Sequence, residues 1–227
     1  MPENIKSYQR IQSIDILRGA IMMLMLIDHI RGFWSSYYFN PLDIDKTYPF
    51  LFFTRWITHF CAPTFIFLSG VAVFLSTRLK NMSRSETARF LIVRGFIILA
   101  IEVFLSQIYF NFEYRFYSPM VIHLQVMFSI GISMMLLAAL QFIKPVILGI
   151  ISLSVILLHN LMPTVDLSQF SFNNAVYGML HQAVFYKVND YFTLGIQYAL
   201  IPWVFVMSLG YSLGNILLTE SDTRKTI

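Results

Sequence analysis

The stretch IDILRGAIMMLMLIDHIRGFW, residues 14–34, decides the fold class, because it is long enough to cross a bilayer as a single helix. A transmembrane helix needs about 20 predominantly apolar residues, whereas core helices of soluble domains have shorter apolar runs. Asp15 and Arg18 interrupt the start of the stretch, and no small-residue cleavage site follows it. We therefore predict a permanent membrane span and not a cleaved signal peptide.

The composition of the whole chain also predicts an integral membrane protein. Of its 227 residues, 57% are hydrophobic and 12% are charged, whereas soluble domains have about 25% charged residues. The mean hydropathy is +0.65. The net charge of +4 is small, and no basic tract alternates with aromatic residues. The lipid bilayer is thus the expected partner, and nucleic acid is not.

The remaining apolar runs predict an all-α fold, a polytopic helix bundle that forms one membrane domain over residues 1–227. Six spans are predicted, at about 14–34, 49–78, 88–110, 120–142, 145–162 and 194–218. The second run is too long for a straight span and contains Pro63 and Gly70, so we expect it either to be broken or to begin along the membrane interface. A long outer loop would separate the last two spans.

Lysine and arginine residues predict the orientation, because they are enriched in cytoplasmic segments. With the N-terminus inside, eleven of the sixteen fall on the cytoplasmic side: Lys6, Arg10, Arg18, Arg78, Lys80, Arg84, Arg89, Arg94, Lys144, Arg224 and Lys225. The outer side holds Arg31, Lys46, Arg55, Arg115 and Lys187. Both termini are therefore predicted to be cytoplasmic.

Ionisable side chains inside the spans are the first candidates for function, because each costs about 2.5–3.5 kcal/mol to insert. Arg18 and His29 are eleven residues apart, which places them on one helix face, about 16 Å apart along the axis. Asp28 lies about 100° round from His29, so its carboxylate is expected to reach an adjacent helix. Arg55 and His59 form an i,i+4 pair that arrives from the second span at the same depth.

Two further charged features lie on the third span and before it. Glu102 is either functional or paired with Arg94 or Arg18 only to make insertion tolerable. The basic loop before this span is interpreted as a topology signal and a contact with anionic lipid, with phosphate or nucleotide binding as the alternative. Its Ser83 and Glu86 have the spacing of a capping box.

All five histidines fall at outer span ends or in an outer loop, which predicts a partly wet site facing outward: His29, His59, His123, His159 and His181. Imidazole is an acid or base near neutral pH, and a neighbouring carboxylate can fix its tautomer. The alternative is that these are interfacial side chains solvated by headgroups. The histidines are scattered with no short ligand spacing, so no metal site is expected.

Several blocks of sequence match a family pattern. Residues 10–19, RIQSIDILRG, followed by Met25, Asp28 and His29, resemble the opening of the heparan-alpha-glucosaminide N-acetyltransferase family and its bacterial relatives. Residues 55–65, RWITHFCAPTF, closing on FLSG at 67–70, resemble the second block of the bacterial branch. The spacing of Arg18 and His29 also resembles the wider transmembrane acyltransferase superfamily.

The resemblance implies transfer of an acyl group, typically acetyl, from cytosolic acetyl-CoA or another acyl-CoA to a sugar amine or hydroxyl across the membrane. In this reading the catalytic residues are His29 as general base, Asp28 as its orienting carboxylate, and His59. Arg18 and Arg94 would bind the donor. The substrate-binding residues would be Arg55 and Glu102, and the location would be a bacterial inner membrane.

Two departures from the family pattern keep other functions open. The family's animal members place a proposed catalytic histidine after the first helix, and this chain has none in residues 31–58, so chemistry at His29 rests on the superfamily spacing. Members also usually have more than six helices. The alternatives are a proton-coupled transporter or carrier, or an inactive or truncated partner of a larger acyltransferase; homo-oligomerisation is a further possibility.

Overall fold

The computed structural model describes residues 12–34, 39–111, 120–167 and 171–224. These residues are mostly helical and fall into two compact units, Met1–Leu68 and Ser69–Ile227. We call them the N-terminal unit and the C-terminal unit. Four basic residues used to predict the orientation lie outside the described residues: Lys6, Arg10, Arg115 and Lys225.

The N-terminal unit contains α1 (Gln12–Trp34), α2 (Pro49–Thr58) and the beginning of α3 (Cys61–Leu79). The expected break in the second apolar run is confirmed, because one helix ends at Thr58 and the next begins at Cys61. Pro63 explains the break. In a continuous helix its ring would clash with the carbonyl of residue 59, and it has no N–H to donate to that carbonyl.

The C-terminal unit contains the rest of α3 and five more helices, α4 (Arg84–Asn111), α5 (Val126–Leu140), α6 (Pro145–Leu158), α7 (Phe172–Leu180) and α8 (Leu200–Arg224). Helix α4 packs against α5, and α8 packs against both α5 and α6. Glycines permit a close approach of α4 and α5, since a Cβ on Gly131 would lie 2.9 Å from the carbonyl oxygen of Gly95. Small residues at helix contacts are typical of membrane bundles.

A small sheet is the exception to the predicted all-α fold. Strands β1 (Met120–Leu124), β2 (Val184–Asn189) and β3 (Phe192–Ile196) form it in the order β1-β3-β2. Strand β1 is parallel to β3, and β2 is antiparallel to it. The sheet and the elements around it bury a core of Leu124, Phe128, Leu167, Ala175, Tyr186 and Ile196. Helix α7 and two of the strands thus occupy the predicted outer loop.

The sheet corrects two predicted helix boundaries. The run at 120–142 begins as β1, and its helix starts only at Val126; the run at 194–218 begins inside β3, and its helix starts at Leu200. A short apolar run such as 120–124 fits a strand or a helix equally well from its sequence. Its pairing with the distant residues 192–196 decides the outcome.

Two stretches of the described chain are long and apolar enough to cross a membrane. They are Pro49–Leu79, which comprises α2 and α3, and Leu200–Leu218 within α8. Shorter apolar helices cover Val126–Leu140 and Pro145–Leu161. The protein is therefore mostly helical with two candidate spans, and the six-span bundle remains a proposal.

Candidate functional site

The carboxylate of Asp28 is the centre of a polar network between α1 and α2. Arg55 Nη1 donates to both of its oxygens at 2.7 Å. Arg31 Nη2 forms an ion pair with Oδ1, and the Thr58 hydroxyl donates to the same oxygen at 2.9 Å. The prediction that Asp28 reaches an adjacent helix is confirmed.

Two threonine hydroxyls hold the second arginine of the network. The buried Thr58 hydroxyl accepts from Arg31 Nη2 at 3.0 Å, and Arg31 Nη1 donates to the Thr54 hydroxyl at 3.4 Å. Residues three or four apart are neighbours on a helix surface, so Thr54, Arg55 and Thr58 share one face of α2. Asp28 and Arg31 are neighbours on α1 for the same reason, and helical periodicity therefore assembles all five groups at one contact.

Among the described residues, the network carries a surplus of positive charge, because two guanidinium groups surround one carboxylate. The side chain of Arg31 is only 13% exposed, and those of Arg55 and Asp28 are 31% and 30% exposed. Partial burial reduces screening by water, so these charge-assisted bonds are stronger than exposed ion pairs. The network therefore ties α1 to α2 by electrostatics.

The two histidines predicted to be catalytic lie beside this network in the chain. His29 follows Asp28 on α1 and is exposed. His59 is also exposed and ends α2, where its backbone N–H donates to the Arg55 carbonyl at 3.1 Å. The structure thus brings Asp28 together with Arg55, as the spacing predicted, and adds Arg31. The roles of His29 and His59 in catalysis stay predictions.

Arg18 lies on α1 toward its beginning and is half-buried. Its guanidinium carbon is 5.8 Å from the centre of the Phe65 ring, within the distance of about 6 Å at which a cation is attracted to an aromatic face. Because α1 is continuous from Gln12 to Trp34, Arg18 and His29 share one face and lie about 16 Å apart along the axis. The predicted spacing is therefore realised.

The C-terminal unit contains the two other predicted site residues, both on α4. Glu102 is buried, and its Oε1 accepts the backbone N–H of Gln125 at 2.6 Å, at the start of α5. The guanidinium carbon of the exposed Arg94 lies 5.0 Å from the centre of the Phe90 ring. Arg94 and Glu102 are about 12 Å apart along α4, so the alternative in which they form an ion pair is wrong.

The remaining histidines have local contacts in the C-terminal unit. The ring of His123 lies 6.0 Å from that of Phe185, and the ring of His181 lies 5.7 Å from that of Tyr177. His159 Nδ1 is 2.7 Å from a carbonyl oxygen in the last turn of α6. Among the described residues, no group of three or more histidine, cysteine or acidic side chains is arranged to hold a metal ion.

Comparison with known families identifies the chain. The family described as heparan-alpha-glucosaminide N-acetyltransferase, catalytic, matches residues 10–227. The chain belongs to this family. No curated protein and no solved structure shows a significant match.

Membership in the heparan-alpha-glucosaminide N-acetyltransferase family confirms the resemblance to this family, and the assignment to its bacterial branch stays a prediction. It indicates an acetyltransferase-type activity, and the family in general is membrane-associated and takes acetyl-CoA as the donor. The match includes α1 with Asp28 and α4 with Glu102. Both carboxylates therefore lie in the part of the chain that the family shares.

Three residues around Asp28 in this family member were missed as candidates: Arg31, Thr54 and Thr58. Arg31 had been used only as an orientation signal, although its i,i+3 spacing from Asp28 is a pattern for an ion pair on a helix. Thr54 and Thr58 have the i,i+4 spacing that places two hydroxyls on the face of α2 that also carries Arg55. Such spacings predict which side chains share a helix face. Only the packing of α2 on α1 shows that these side chains join the network around Asp28.

Proposed function

We propose that the protein is a membrane acetyltransferase that moves an acetyl group from cytosolic acetyl-CoA, or another acyl group from its CoA ester, to a sugar amine or hydroxyl on the outer side. The single observation that carries the proposal is the family match over residues 10–227. The continuity of α1 through Arg18 and His29 supports it. One rigid helix would then serve both substrates.

His29 is the proposed general base. It removes a proton from the acceptor, whose nitrogen or oxygen bonds to the acetyl carbonyl carbon while the carbon–sulfur bond breaks. The CoA thiolate leaves and takes up the proton from His29, so the reaction balances without a metal or redox partner. Base catalysis of this kind contributes about 10²- to 10⁴-fold, and positioning of both substrates supplies more.

Asp28 is proposed to act as the positioning carboxylate for His29. Its bonds to Arg31, Arg55 and Thr58 support this role, because they fix the turn of α1 that carries His29 against α2. The same bonds support the alternative that Asp28 only joins the helices. His59, which follows Arg55 and Thr58 at the end of α2, is proposed to assist His29 in proton transfer.

Donor and acceptor contacts are proposed for the other cations and for Glu102. Arg18 would meet the phosphate or thioester groups of the donor at the inner end of α1, and Arg94 would assist from α4. Arg55 retains N–H groups beyond those bonded to Asp28, since guanidinium has five, and these suit an oxygen of the acceptor. Glu102 is proposed to bind acceptor hydroxyls.

The proposed setting is a multi-pass protein of the bacterial inner membrane with six spans and both termini in the cytoplasm. The excess of lysine and arginine on the predicted inner side supports this orientation. The resemblance of residues 55–70 to the bacterial branch of the family supports a bacterial source.

A transfer assay with the protein as the sole added component tests this function. Membranes containing only this chain are incubated with labelled acetyl-CoA and a panel of glycans and lipid-linked sugars. Label should appear on an acceptor, and membranes with His29→Ala at equal folded amount should transfer almost none. Uptake of sugar or protons without any transfer of label would contradict the proposal and favour a transporter.

A further inference from the structure

Five exposed basic side chains surround two helix turns of the C-terminal unit. The turn between α3 and α4 and the residues beside it supply four of them, and the turn between α5 and α6 supplies the fifth. We call this group the basic turn surface; its members are Arg78, Lys80, Arg84, Arg89 and Lys144.

The turn between α3 and α4 has a fixed shape. Asn81, with a φ of 50°, follows the end of α3 in the left-handed region. The N–H of Asn81 donates to the Arg78 carbonyl and the N–H of Met82 to the Thr77 carbonyl, which is the Schellman pattern of a helix end. Backbone N–H groups that would otherwise need water are thereby satisfied, so the backbone of this turn is well ordered.

A capping box begins α4 immediately afterwards, as the sequence predicted. The Ser83 N–H donates to Glu86 Oε2 at 2.7 Å, and the Glu86 N–H donates to the Ser83 hydroxyl at 3.2 Å. These bonds hold the pKa of the Glu86 carboxyl below its usual value. Glu86 is thus committed to the backbone of its own turn.

Arg84 joins this turn to the one between α5 and α6. Its Nη1 donates to the Phe142 carbonyl at 3.2 Å, and its guanidinium carbon lies 5.9 Å from the centre of the Phe142 ring. In return, Gln141 Nε2 donates to the Arg84 carbonyl at 3.2 Å. The two turns, and the cations they carry, therefore form one surface.

Helix electrostatics oppose two of these five cations. Arg84 is the first residue of α4, and Lys144 is the N-cap of α6, positions where the helix dipole disfavours positive charge. Arg78, in the last turn of α3, and Lys80, immediately after it, have favourable helix positions. Mutual repulsion among exposed cations adds to this cost, so an anion outside the chain would stabilise the surface.

Apolar side chains lie exposed among the same residues. Leu79 is 42% exposed, Phe142 is 54% and Val146 is 63%. A soluble phosphate compound satisfies cations alone, whereas a phospholipid satisfies cations with its headgroup and apolar side chains with its acyl chains. The mixture therefore fits a lipid.

We propose that the basic turn surface binds the phosphate headgroups of anionic phospholipids. The lipid phosphates lie against Lys80, Arg89 and Lys144, and the upper acyl chains pack on the exposed apolar side chains. The site fixes this end of the C-terminal unit at the cytoplasmic headgroup layer. It is separate from the proposed acetyl transfer and requires no catalytic activity.

A lipid titration of the full-length protein tests the proposal. The protein in an uncharged detergent is titrated with dioctanoyl phosphatidylglycerol, dioctanoyl phosphatidylcholine or CoA, and bound molecules are counted by native mass spectrometry. Phosphatidylglycerol should bind at least tenfold more tightly than phosphatidylcholine. Each basic residue near an anionic surface is worth about fivefold in affinity, so Lys80→Gln/Arg89→Gln should weaken phosphatidylglycerol binding about 25-fold.

A matched control variant tests whether lipid binding depends on the basic turn surface or only on the total positive charge of the protein. Lys187→Gln removes an exposed cation of β2 that is paired with Asp190 at 2.8 Å, and it should change phosphatidylglycerol affinity less than about twofold. Equal binding of both lipids, or unchanged phosphatidylglycerol affinity in the double variant, would overturn the proposal. If the double variant lost CoA binding but still bound phosphatidylglycerol, the proposal would also be overturned. The surface would then be assigned to a soluble phosphate ligand.

Discussion

Asp28 and Glu102 are both carboxylates within long helices of this chain, and their surroundings differ sharply. Asp28 accepts from two guanidinium groups and a hydroxyl, all from side chains of α1 and α2. Glu102 is more deeply buried, at 6% exposure, and accepts from one backbone N–H at the start of α5. One carboxylate joins two helices through charge, and the other holds a strand-to-helix junction through a hydrogen bond to the backbone.

The difference shows that ionisable residues in apolar helices do not all have the same structural role. A carboxylate that accepts from two guanidinium groups organises a polar region around it. A carboxylate that accepts a backbone N–H fixes the local structure at that point. The neighbours therefore decide which residue belongs to a candidate catalytic region, and the Asp28 region has more of the features that catalysis needs.

The largest expected effect tests whether the Asp28 region performs chemistry. His29→Ala should lower turnover about 10²- to 10⁴-fold because the general base is lost. Asp28→Asn should lower it strongly, and the double variant should be little worse than His29→Ala, since residues that act together are not additive. Turnover is measured per monodisperse molecule.

The same measurement of turnover per folded molecule can also show that Asp28 and His29 have only a structural role. If Asp28 and His29 only join α1 and α2, both substitutions would reduce folded yield and leave turnover per folded molecule unchanged. Unchanged normalised turnover in His29→Ala would end the catalytic interpretation, while the structural network around Asp28 would stand.

A second test concerns the ionic tie itself. Asp28→Ala leaves Arg31 and Arg55 without their carboxylate, and breaking such a pair should lower the free energy of unfolding by about 3 kcal/mol. Asp190→Ala is the matched control, because its ion pair with Lys187 at 2.8 Å is exposed and also spans three residues. Its cost should be below about 1 kcal/mol. If denaturant titrations gave the same loss in the free energy of unfolding for both variants, the Asp28 ion pairs would be no more stabilising than an exposed pair.

The Glu102 region gives a third, smaller effect. Glu102→Gln keeps a side-chain oxygen for the Gln125 N–H, so the loss of stability should be under about 1 kcal/mol, whereas Glu102→Ala should cost about 1–3 kcal/mol. Thermal unfolding of the two variants measures the difference. A large loss in Glu102→Gln would mean that the negative charge, and not the acceptor, matters, which would make Glu102 resemble Asp28.

The smallest effect concerns Glu86. This exposed carboxylate accepts a backbone N–H, as the buried Glu102 also does. Its pKa is lowered from 4.5, chiefly by the Ser83 backbone hydrogen bond. Glu86 therefore stabilises the fold above pH 4.5, and this contribution is lost as the pH falls through its lowered pKa. Glu86→Gln should flatten stability against pH in that range. Ser83→Ala should cost about 1 kcal/mol at neutral pH, and an unchanged pH profile in Glu86→Gln would exclude the capping role.

Much of the candidate site followed from local spacing. Helical periodicity predicted that Arg18 and His29 share a face and that Asp28 meets a neighbouring helix, because both depend only on the rise and turn of α1. Arg55 was also placed correctly at the level of Asp28. Arg31 and Thr58 were missed, since their bonds to Asp28 depend on how closely α2 approaches α1.

The sequence alone determined the mostly helical fold, the break before Pro63 and the capping box at Ser83 and Glu86. Each rests on interactions among residues close together in the chain or on its overall apolar composition. Tertiary structure decided that residues 120–124 form a strand, because their partners are residues 192–196. It likewise decided that Glu102 binds Gln125 and that two arginines share Asp28, since contacts between distant segments depend on packing that local periodicity does not specify.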